Sequence, residues 1–488
     1  MTNNRWIDQA AMAVALLCLA GCPASGDDDD AAWGDYGDDD DWNQGDDDDN
    51  PGDVEDPDDV SPPEDPPEDV EDELCAEAPT EPVTWFVSAD DSNSMAQPTL
   101  FRMAIERGAN IWATPRLYEF LNYYSFDFGP GNDVRLVPQL RQTEDGYSLL
   151  VAVVGPDRSN EARRPLNLTF SLDLSGSMGG TGISGMKSAM RAIAGELRSG
   201  DVVSVVEWDT SQSVPLDSYV VTGPDDPTLL ELIEGLGSGG GTNLDAGLTR
   251  AYEIANQNRS STSLNRVVLI SDGGANVGNT SSALIGDSAE DETGDGIYLA
   301  AIGTGNIQEQ FMDQVTDLGK GAYLYIDSDA EADKLLGGER FLSTLDLAAK
   351  NVQLELTLPE GVVIDQFSGE EISESPDEVR PQNLAPNDSM LYHFDLVDCM
   401  EEASGRQVGM QVTWIEPLTG EPQSTSLTVD WSELLVGDTD AVLKADAIVR
   451  YARIAGGEAL SSQLVLDAAA ALPSDADLAE VAALVQQL

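Results

Sequence analysis

Leu166-Asn167-Leu168-Thr169-Phe170-Ser171-Leu172-Asp173-Leu174-Ser175-Gly176-Ser177-Met178 is the stretch that decides how this chain is read. Its first seven residues form an apolar run of strand length, the pattern of a strand buried on both faces. Asp173, Ser175 and Ser177 follow at alternate positions, so a carboxylate and two hydroxyls share the loop at the strand's end. Hard oxygen donors of this kind can converge on a small divalent cation. The stretch points to a protein that grips a partner through a metal, and away from an enzyme.

Outward from it, residues 164–345 alternate strand and helix patterns. Strands are expected over 166–172, 202–208, 214–221, 266–271, 297–302 and 322–326. Helices are expected over 185–198, 228–236, 245–257, 307–318 and 330–344. Nearly continuous apolar strands separated by helices make an α/β domain with a doubly wound, mostly parallel sheet covered on both faces. The short turn before 214–221 makes that segment an antiparallel edge strand. Ligands of such sheets sit beyond the carboxyl ends of the strands, where Asp173 is expected. Two further segments suit the same place: Gly239-Gly240-Gly241-Thr242-Asn243 ahead of a helix, and Ser271-Asp272-Gly273-Gly274 after a strand. Each alone is a weak signal: the second reads as a turn, and the first is a loop of the kind that could cradle phosphate. The glycine-rich one lacks the lysine of a nucleotide-phosphate loop.

Asp173-x-Ser175-x-Ser177, then Thr242, then Asp272, resembles the metal-ion-dependent adhesion site of von Willebrand factor A domains at all five positions. The resemblance spans about 180 residues and implies a Rossmann-like fold. It implies direct coordination by Ser175 and Ser177, direct or water-mediated coordination by Thr242, and a supporting role through water or hydrogen bonds for Asp173 and Asp272. The implied cofactor is Mg2+, or Mn2+ or Ca2+. The implied partner is a protein that presents an acidic residue to complete the metal shell. Gly274 stands where related sequences often carry an acidic or larger residue, a departure outside the ligand set. A group of bacterial von Willebrand factor A proteins with flanking N- and C-terminal regions, many of them envelope lipoproteins, is similar over Tyr118–Tyr124, Asn265–Leu269, Asn276-Val277-Gly278 and Gly321–Asp327.

Catalytic alternatives are poorly supplied. A serine nucleophile needs a base, ordinarily histidine. The single histidine, His393, lies in the strand-like run Met390–Leu396, far along the chain. There is no C-x-x-C pair, H-E-x-x-H or Walker pattern. No catalytic residue is expected.

The N-terminus supplies an address. Polar residues with Arg5 precede an apolar stretch, Ala10–Ala20, of signal-peptide length and too short to span a bilayer. Leu19-Ala20-Gly21-Cys22 matches the bacterial lipobox, in which cleavage after the glycine leaves a lipid-bearing Cys22. Pro23 in place of an aspartate favours the outer membrane of the bacterial cell envelope. The alternative is an ordinary signal peptide with an incidental cysteine. Residues 27–73 then hold 25 Asp and Glu and no Lys or Arg. Such a segment buries too little apolar surface to fold and reads as a disordered, extended spacer. The whole chain carries 24 basic and 90 acidic residues, a net charge of −66. That charge excludes nucleic acid as a partner and leaves the lipid anchor as the route to a membrane. Cys18 leaves with the signal peptide, so Cys75 and Cys399 remain. In an oxidising envelope they make a plausible disulfide, with two free thiols as the alternative.

The chain thus divides into a signal peptide (1–21), an acidic linker (22–78), an N-terminal flank (79–163), the central domain (164–345), a β-rich C-terminal flank (346–435) and a helical C-terminus (436–488). Alternating segments at 134–138, 147–154, 351–367, 408–415 and 424–431 suggest that strands before and after the central domain pair into one β-sandwich, stapled by Cys75 and Cys399. Three functions fit: a lipid-anchored, metal-dependent adhesion protein, an assembly factor or scaffold for an envelope complex, and a passive surface protein with a structural metal.

Overall fold

The computed structural model describes residues 74–76, 78–90, 93–111, 113–273, 284–285, 288–289, 296–400 and 405–488. The described residues all fall within one compact unit, Pro66–Leu488. The signal peptide, Cys22, nearly all of the acidic linker, Gly274 and Asn276-Val277-Gly278 lie outside the described residues.

The N-terminal flank contributes β1 (Val83–Ser88), α1 (Ala96–Glu106), α2 (Leu117–Tyr123), β2 (Arg135–Gln142) and β3 (Tyr147–Val154). The central domain follows with β4 (Leu166–Asp173), α3 (Thr181–Glu196), β5 (Val202–Trp208), β6 (Gln212–Val220), α4 (Pro227–Gly235), α5 (Leu244–Gln257), β7 (Leu264–Ser271), β8 (Tyr298–Gly303), α6 (Glu309–Gly319), β9 (Tyr323–Tyr325), α7 (Asp329–Leu336) and α8 (Arg340–Leu345). Its sheet order is β6-β5-β4-β7-β8-β9, parallel except for β6, which pairs antiparallel with β5 at the edge as its short turn predicts. Buried side chains alternate across the sheet. Leu168, Phe170 and Leu172 of β4 pack with Met186, Met190 and Ile193 of α3. Val267 and Leu269 of β7 pack on the opposite face with Leu248 and Tyr252 of α5 and Met312 of α6.

The expected single helix over 330–344 is instead two, α7 and α8. Gly337-Gly338 breaks it, with Gly338 in the left-handed region at φ +57°, where a side chain would be strained. The expected strand at 134–138 runs on through Pro138 to Gln142. Proline is tolerated because β2 is an edge strand.

The flanks form a two-sheet sandwich together with β10 (Ala349–Leu358), β11 (Val362–Phe367), β12 (Glu371–Ser373), β13 (Gln382–Leu384), β14 (Ser389–Asp398), β15 (Gln407–Ile415) and β16 (Pro422–Asp430). One sheet runs β12-β1-β10-β15-β16, with β13 also on β10, and the other runs β11-β14-β3-β2. Strands from before and after the central domain therefore interleave: Trp85 of β1 pairs with Leu356 of β10, and Val151 of β3 pairs with Tyr392 of β14. The two sheets close on a core of Leu149, Val151, Leu354, Leu356, Phe394 and Val412. A disulfide joins Cys75 to Cys399 across 324 residues, beside the contacts Gly361 N–H to Pro79 C=O and Cys399 N–H to Gly361 C=O.

Strand β3 explains why its sequence is apolar without interruption. Leu149, Val151 and Val153 face the sandwich core, whereas Leu150, Ala152 and Val154 join the cluster shared with the central domain and the C-terminal helices. Those helices are α9 (Trp431–Leu434), α10 (Asp440–Ala455), α11 (Gln463–Ala471) and α12 (Ala476–Val485). Ile448 and Tyr451 of α10 lie in the shared cluster, so the apolar face of this helix packs on the body. No helix among the described residues is long and apolar enough to cross a membrane.

Candidate metal centre

Asp173 is the last residue of β4 and its side chain is fully buried. Both carboxylate oxygens are engaged. Oδ1 accepts the Ser175 backbone N–H at 2.9 Å, and Oδ2 accepts the Ser271 hydroxyl at 2.6 Å. Burial pushes the carboxyl above its ordinary range, hydrogen bonds from Ser175 and Ser271 pull the other way, and the charge of Asp272 adds to the rise. Asp173 thus sets the turn, with a hydrogen bond on each of its oxygens. Ser175 is buried and Ser177 exposed, and their hydroxyl oxygens lie 3.0 Å apart. A short 3-10 turn over Gly176–Met178, anchored by buried Met178, presents them on one side.

The loop ahead of α5 docks directly on this turn. Gly239 N–H donates to Leu174 C=O at 2.7 Å and Gly176 N–H donates to Gly240 C=O at 3.2 Å. Gly240 sits at φ +84°, and a Cβ there would meet Asp209 Oδ2 at 2.8 Å, so this approach needs glycine. The docking brings in Thr242, which is exposed, next to Asn243, whose side chain caps α5 by accepting the Ala246 N–H.

Asp272 follows β7 and is almost fully buried. Strands β4 and β7 are parallel neighbours, with Leu172 opposite Ile270, so Asp173 comes opposite Ser271 and Asp272 follows one residue further on, near enough for its charge to act on Asp173. The Asp272 carbonyl accepts the Gln308 N–H at 2.9 Å, and Gly273 is at φ +72° with no room for a Cβ against Gln308. Glu309, the next residue, is ion-paired to Arg116, which also holds buried Glu119 of α2. The N-terminal flank is thereby tied to the loop beside Asp272. Burial pushes the Glu119 carboxyl up to about 7 against the pull of Arg116.

Asp173, Ser175 and Ser177 are therefore joined in one hydrogen-bonded turn. Asp272 lies just past the end of the neighbouring strand, and Thr242 is on the loop bonded to that turn. Sequence reading missed Ser271 as the hydroxyl that locks Asp173. Its position at the carboxyl end of β7, just before Asp272, was the available signal. The Arg116–Glu309 link carries no local signal, because it spans 193 residues.

The donors suit a hard cation. All are oxygens, and the separation of 3.0 Å between the serine hydroxyls equals the edge of an octahedron with metal–oxygen bonds of about 2.0–2.1 Å. The loops at this end (174–180, 209–211, 236–243 and 304–308) contain no Lys or Arg. These loops offer an arriving carboxylate no Lys or Arg side chain of their own.

His393 is buried in β14, as a strand residue. Its Nε2 lies 2.8 Å from Asp446 Oδ1 of α10 and 3.1 Å from Ser148 Oγ, and its Nδ1 lies 3.1 Å from Ser368 Oγ. The Ser148 hydroxyl donates to Asp446. This buried group ties a helix to the sandwich.

Residues 168–275 match the family model for the von Willebrand factor type A domain. The chain is 31% identical over 211 residues to the uncharacterized protein YfbK of Escherichia coli (strain K12), covering 43% of this chain and 36% of that protein. It is 30% identical over 166 residues to the inter-alpha-trypsin inhibitor heavy chain H2 of Mus musculus, covering 32% of this chain and 17% of that protein. The matches thus span about a third or less of these relatives. Among solved structures, a von Willebrand factor type A protein from Catenulispora acidiphila is 16% identical with a TM-score of 0.44, over 73% of this chain and 91% of that one.

Proposed function

We propose that this chain, whose centre is a von Willebrand factor type A domain, is a binding protein that holds a protein partner through a divalent cation. Domains of this family are generally interaction modules rather than enzymes, and they commonly bind a divalent metal. The observation that carries the reading is the arrangement of Asp173: both its oxygens are spent on Ser175 and Ser271, and two serine hydroxyls stand 3.0 Å apart in front of it.

Ser175 and Ser177 would hold the ion, with Thr242 direct or through water, and Asp173 and Asp272 behind them. Bound there, Mg2+ or Mn2+ supplies the positive charge that a partner's carboxylate needs. Ca2+ is a poorer match, because it favours six to eight oxygens with bidentate carboxylates, and both Asp173 oxygens already accept a hydrogen bond. The chain's own residues orient the hydroxyls and keep the two aspartates from neutralising the ion in direct contact. The absence of Lys and Arg from the surrounding loops makes recognition metal-dependent. A net charge of −66 would otherwise repel an acidic partner.

The rest of the reading gives this grip a location. Cys22 is the lipid-bearing residue, the acidic segment 27–73 is a spacer, and the protein sits on the outer membrane of a bacterial envelope. No catalytic role is assigned. The single histidine is buried in the sandwich, away from the metal-binding turn.

The test is a pulldown from envelope extract with the full chain, in Mg2+ and in EDTA, beside a Ser175→Ala/Ser177→Ala variant. Partner capture in Mg2+ alone, lost in the variant, is the expected result. Capture that is indifferent to chelator and to both serines would sink the reading. A passive protein with a structural metal would instead lose melting temperature in Asp173→Ala while every interaction survived.

A further inference from the structure

At the opposite end of the central sheet, beside the amino ends of β7 and β8, lies a small pocket of about 30 Å3 between the central domain and the sandwich. Arg266, Tyr298, Lys320, Asn93, Asn383 and Asp346 are among its lining residues. Arg266 is only 5% exposed. One of its Nη atoms donates to the carbonyl of its own neighbour Asn265 at 2.8 Å, and its guanidinium lies 4.9 Å from the centroid of the Tyr298 ring. No carboxylate among the described residues lies within ion-pair distance of it. Burial pushes it down to about 10, the direction expected of a buried cation short of counter-charge.

The only lining carboxylate among the described residues, Asp346, is already committed. Arg158 pairs with it at 2.6 Å, and it accepts the Leu347 N–H at 2.7 Å. Half-buried Arg164 feels the same carboxylate, with Glu416 as a further acid, and burial lowers it too. Three guanidinium groups thus converge near one buried acid, in a chain where acids outnumber bases 90 to 24. Lys320, held in the left-handed region at φ +49° by the close of α6, adds a fourth positive charge, and its ammonium has no hydrogen-bond or ion-pair partner among the described residues.

We propose that this pocket binds a monatomic halide, chloride in the cell, as the missing counter-charge of Arg266 and Lys320. A buried cation needs a paired anion. The volume admits about two waters or one monatomic ion and excludes phosphate or a carboxylate-bearing ligand. The site is independent of the metal centre. Its place between the central domain and the sandwich means that halide stabilises the packing of one on the other.

The full, disulfide-intact chain is melted in sodium chloride, sodium bromide and sodium gluconate at equal ionic strength. Chloride and bromide raise the melting temperature saturably, by about 2 °C or more over gluconate. Arg266→Met abolishes this difference, and Lys320→Met shifts its midpoint to at least about tenfold higher halide, where a loss of 1.4 kcal/mol is tenfold. Bromide-soaked crystals show an anomalous peak within reach of the Arg266 guanidinium. Equal melting in the three salts overturns the proposal. So does a halide midpoint that is unchanged in Lys320→Met (the variant to rely on if Arg266→Met does not fold), or water alone in the pocket of the bromide-soaked crystal.

Discussion

Ser271 donates its hydroxyl to Asp173 Oδ2 at 2.6 Å, joining the carboxyl ends of two parallel strands. With the Ser175 N–H on Oδ1, this bond engages both Asp173 oxygens and ties down the turn that carries Ser175 and Ser177. Removing the hydroxyl uncovers a buried carboxylate oxygen, which costs about 1–3 kcal/mol. Ser271→Ala is therefore expected to lower unfolding free energy by about that much and to weaken Mn2+ binding about tenfold, read by denaturant melts and by paramagnetic titration. Unchanged Mn2+ affinity would mean that Ser271 only packs.

Gly247 in α5 offers a test of the sheet that supports the site. A Cβ there would lie 2.2 Å from Trp208 Cδ1, and the Trp208 indole is fixed by its N–H to Ser171 Oγ at 3.0 Å. Glycine to alanine inside a helix ordinarily stabilises by about 0.5–1 kcal/mol. Gly247→Ala should reverse that sign and cost about 1–3 kcal/mol through overpacking. Chemical denaturation decides between the two signs.

The His393–Asp446 pair gives a pH dependence. Burial opposes the charged imidazole, but the bond and charge of Asp446 outweigh it and raise His393 above 6.5. Burial likewise opposes the Asp446 carboxylate, and His393, Arg141 and Ser148 hold it below 3.8. The raised histidine contributes stability that is full below pH 6.5 and is lost as pH rises through its folded-state value. The lowered aspartate contributes above 3.8 and is lost as pH falls through its own. The pair should therefore stabilise most between about pH 4 and 6.5. His393→Gln is expected to flatten the fall in stability above pH 6.5, measured by melts across pH. A profile identical to wild type would remove the pair from the account.

The flanks are held together twice, by the disulfide and by strand pairing. Cys399→Ser should cost about 2–4 kcal/mol. A chain nicked between the flanks and then reduced should nonetheless stay in one piece on gel filtration, because β1 pairs with β10 and β3 with β14. Separation of the fragments without denaturant would contradict that interleaving.

Much of this was legible in the sequence, and for identifiable reasons. Strands β4 and β7 are buried on both faces, so their apolar runs stand out. Asp173, Ser175 and Ser177 lie within five residues, so a local pattern reveals them. The helix break at Gly337-Gly338 was visible in the two glycines but was masked by apolar periodicity on either side. Contacts made across the fold carry no local mark. Nothing near Ser271 says that its hydroxyl reaches Asp173, and nothing in β10 says that it will lie between β1 and β15. Pro138 reads as a strand terminator until β2 is known to be at an edge.

The central claim is that Ser175 and Ser177 hold a divalent cation in front of Asp173. The most direct measurement is an Mn2+ titration of the full chain, followed by electron paramagnetic resonance, for wild type and for Ser175→Ala/Ser177→Ala. At physiological salt the diffuse binding of the acidic segment is screened and common to both proteins. One saturable site per chain, present in wild type and at least about tenfold weaker in the variant at an unchanged melting temperature, is the result this account requires. Equal Mn2+ binding by the two proteins would contradict it.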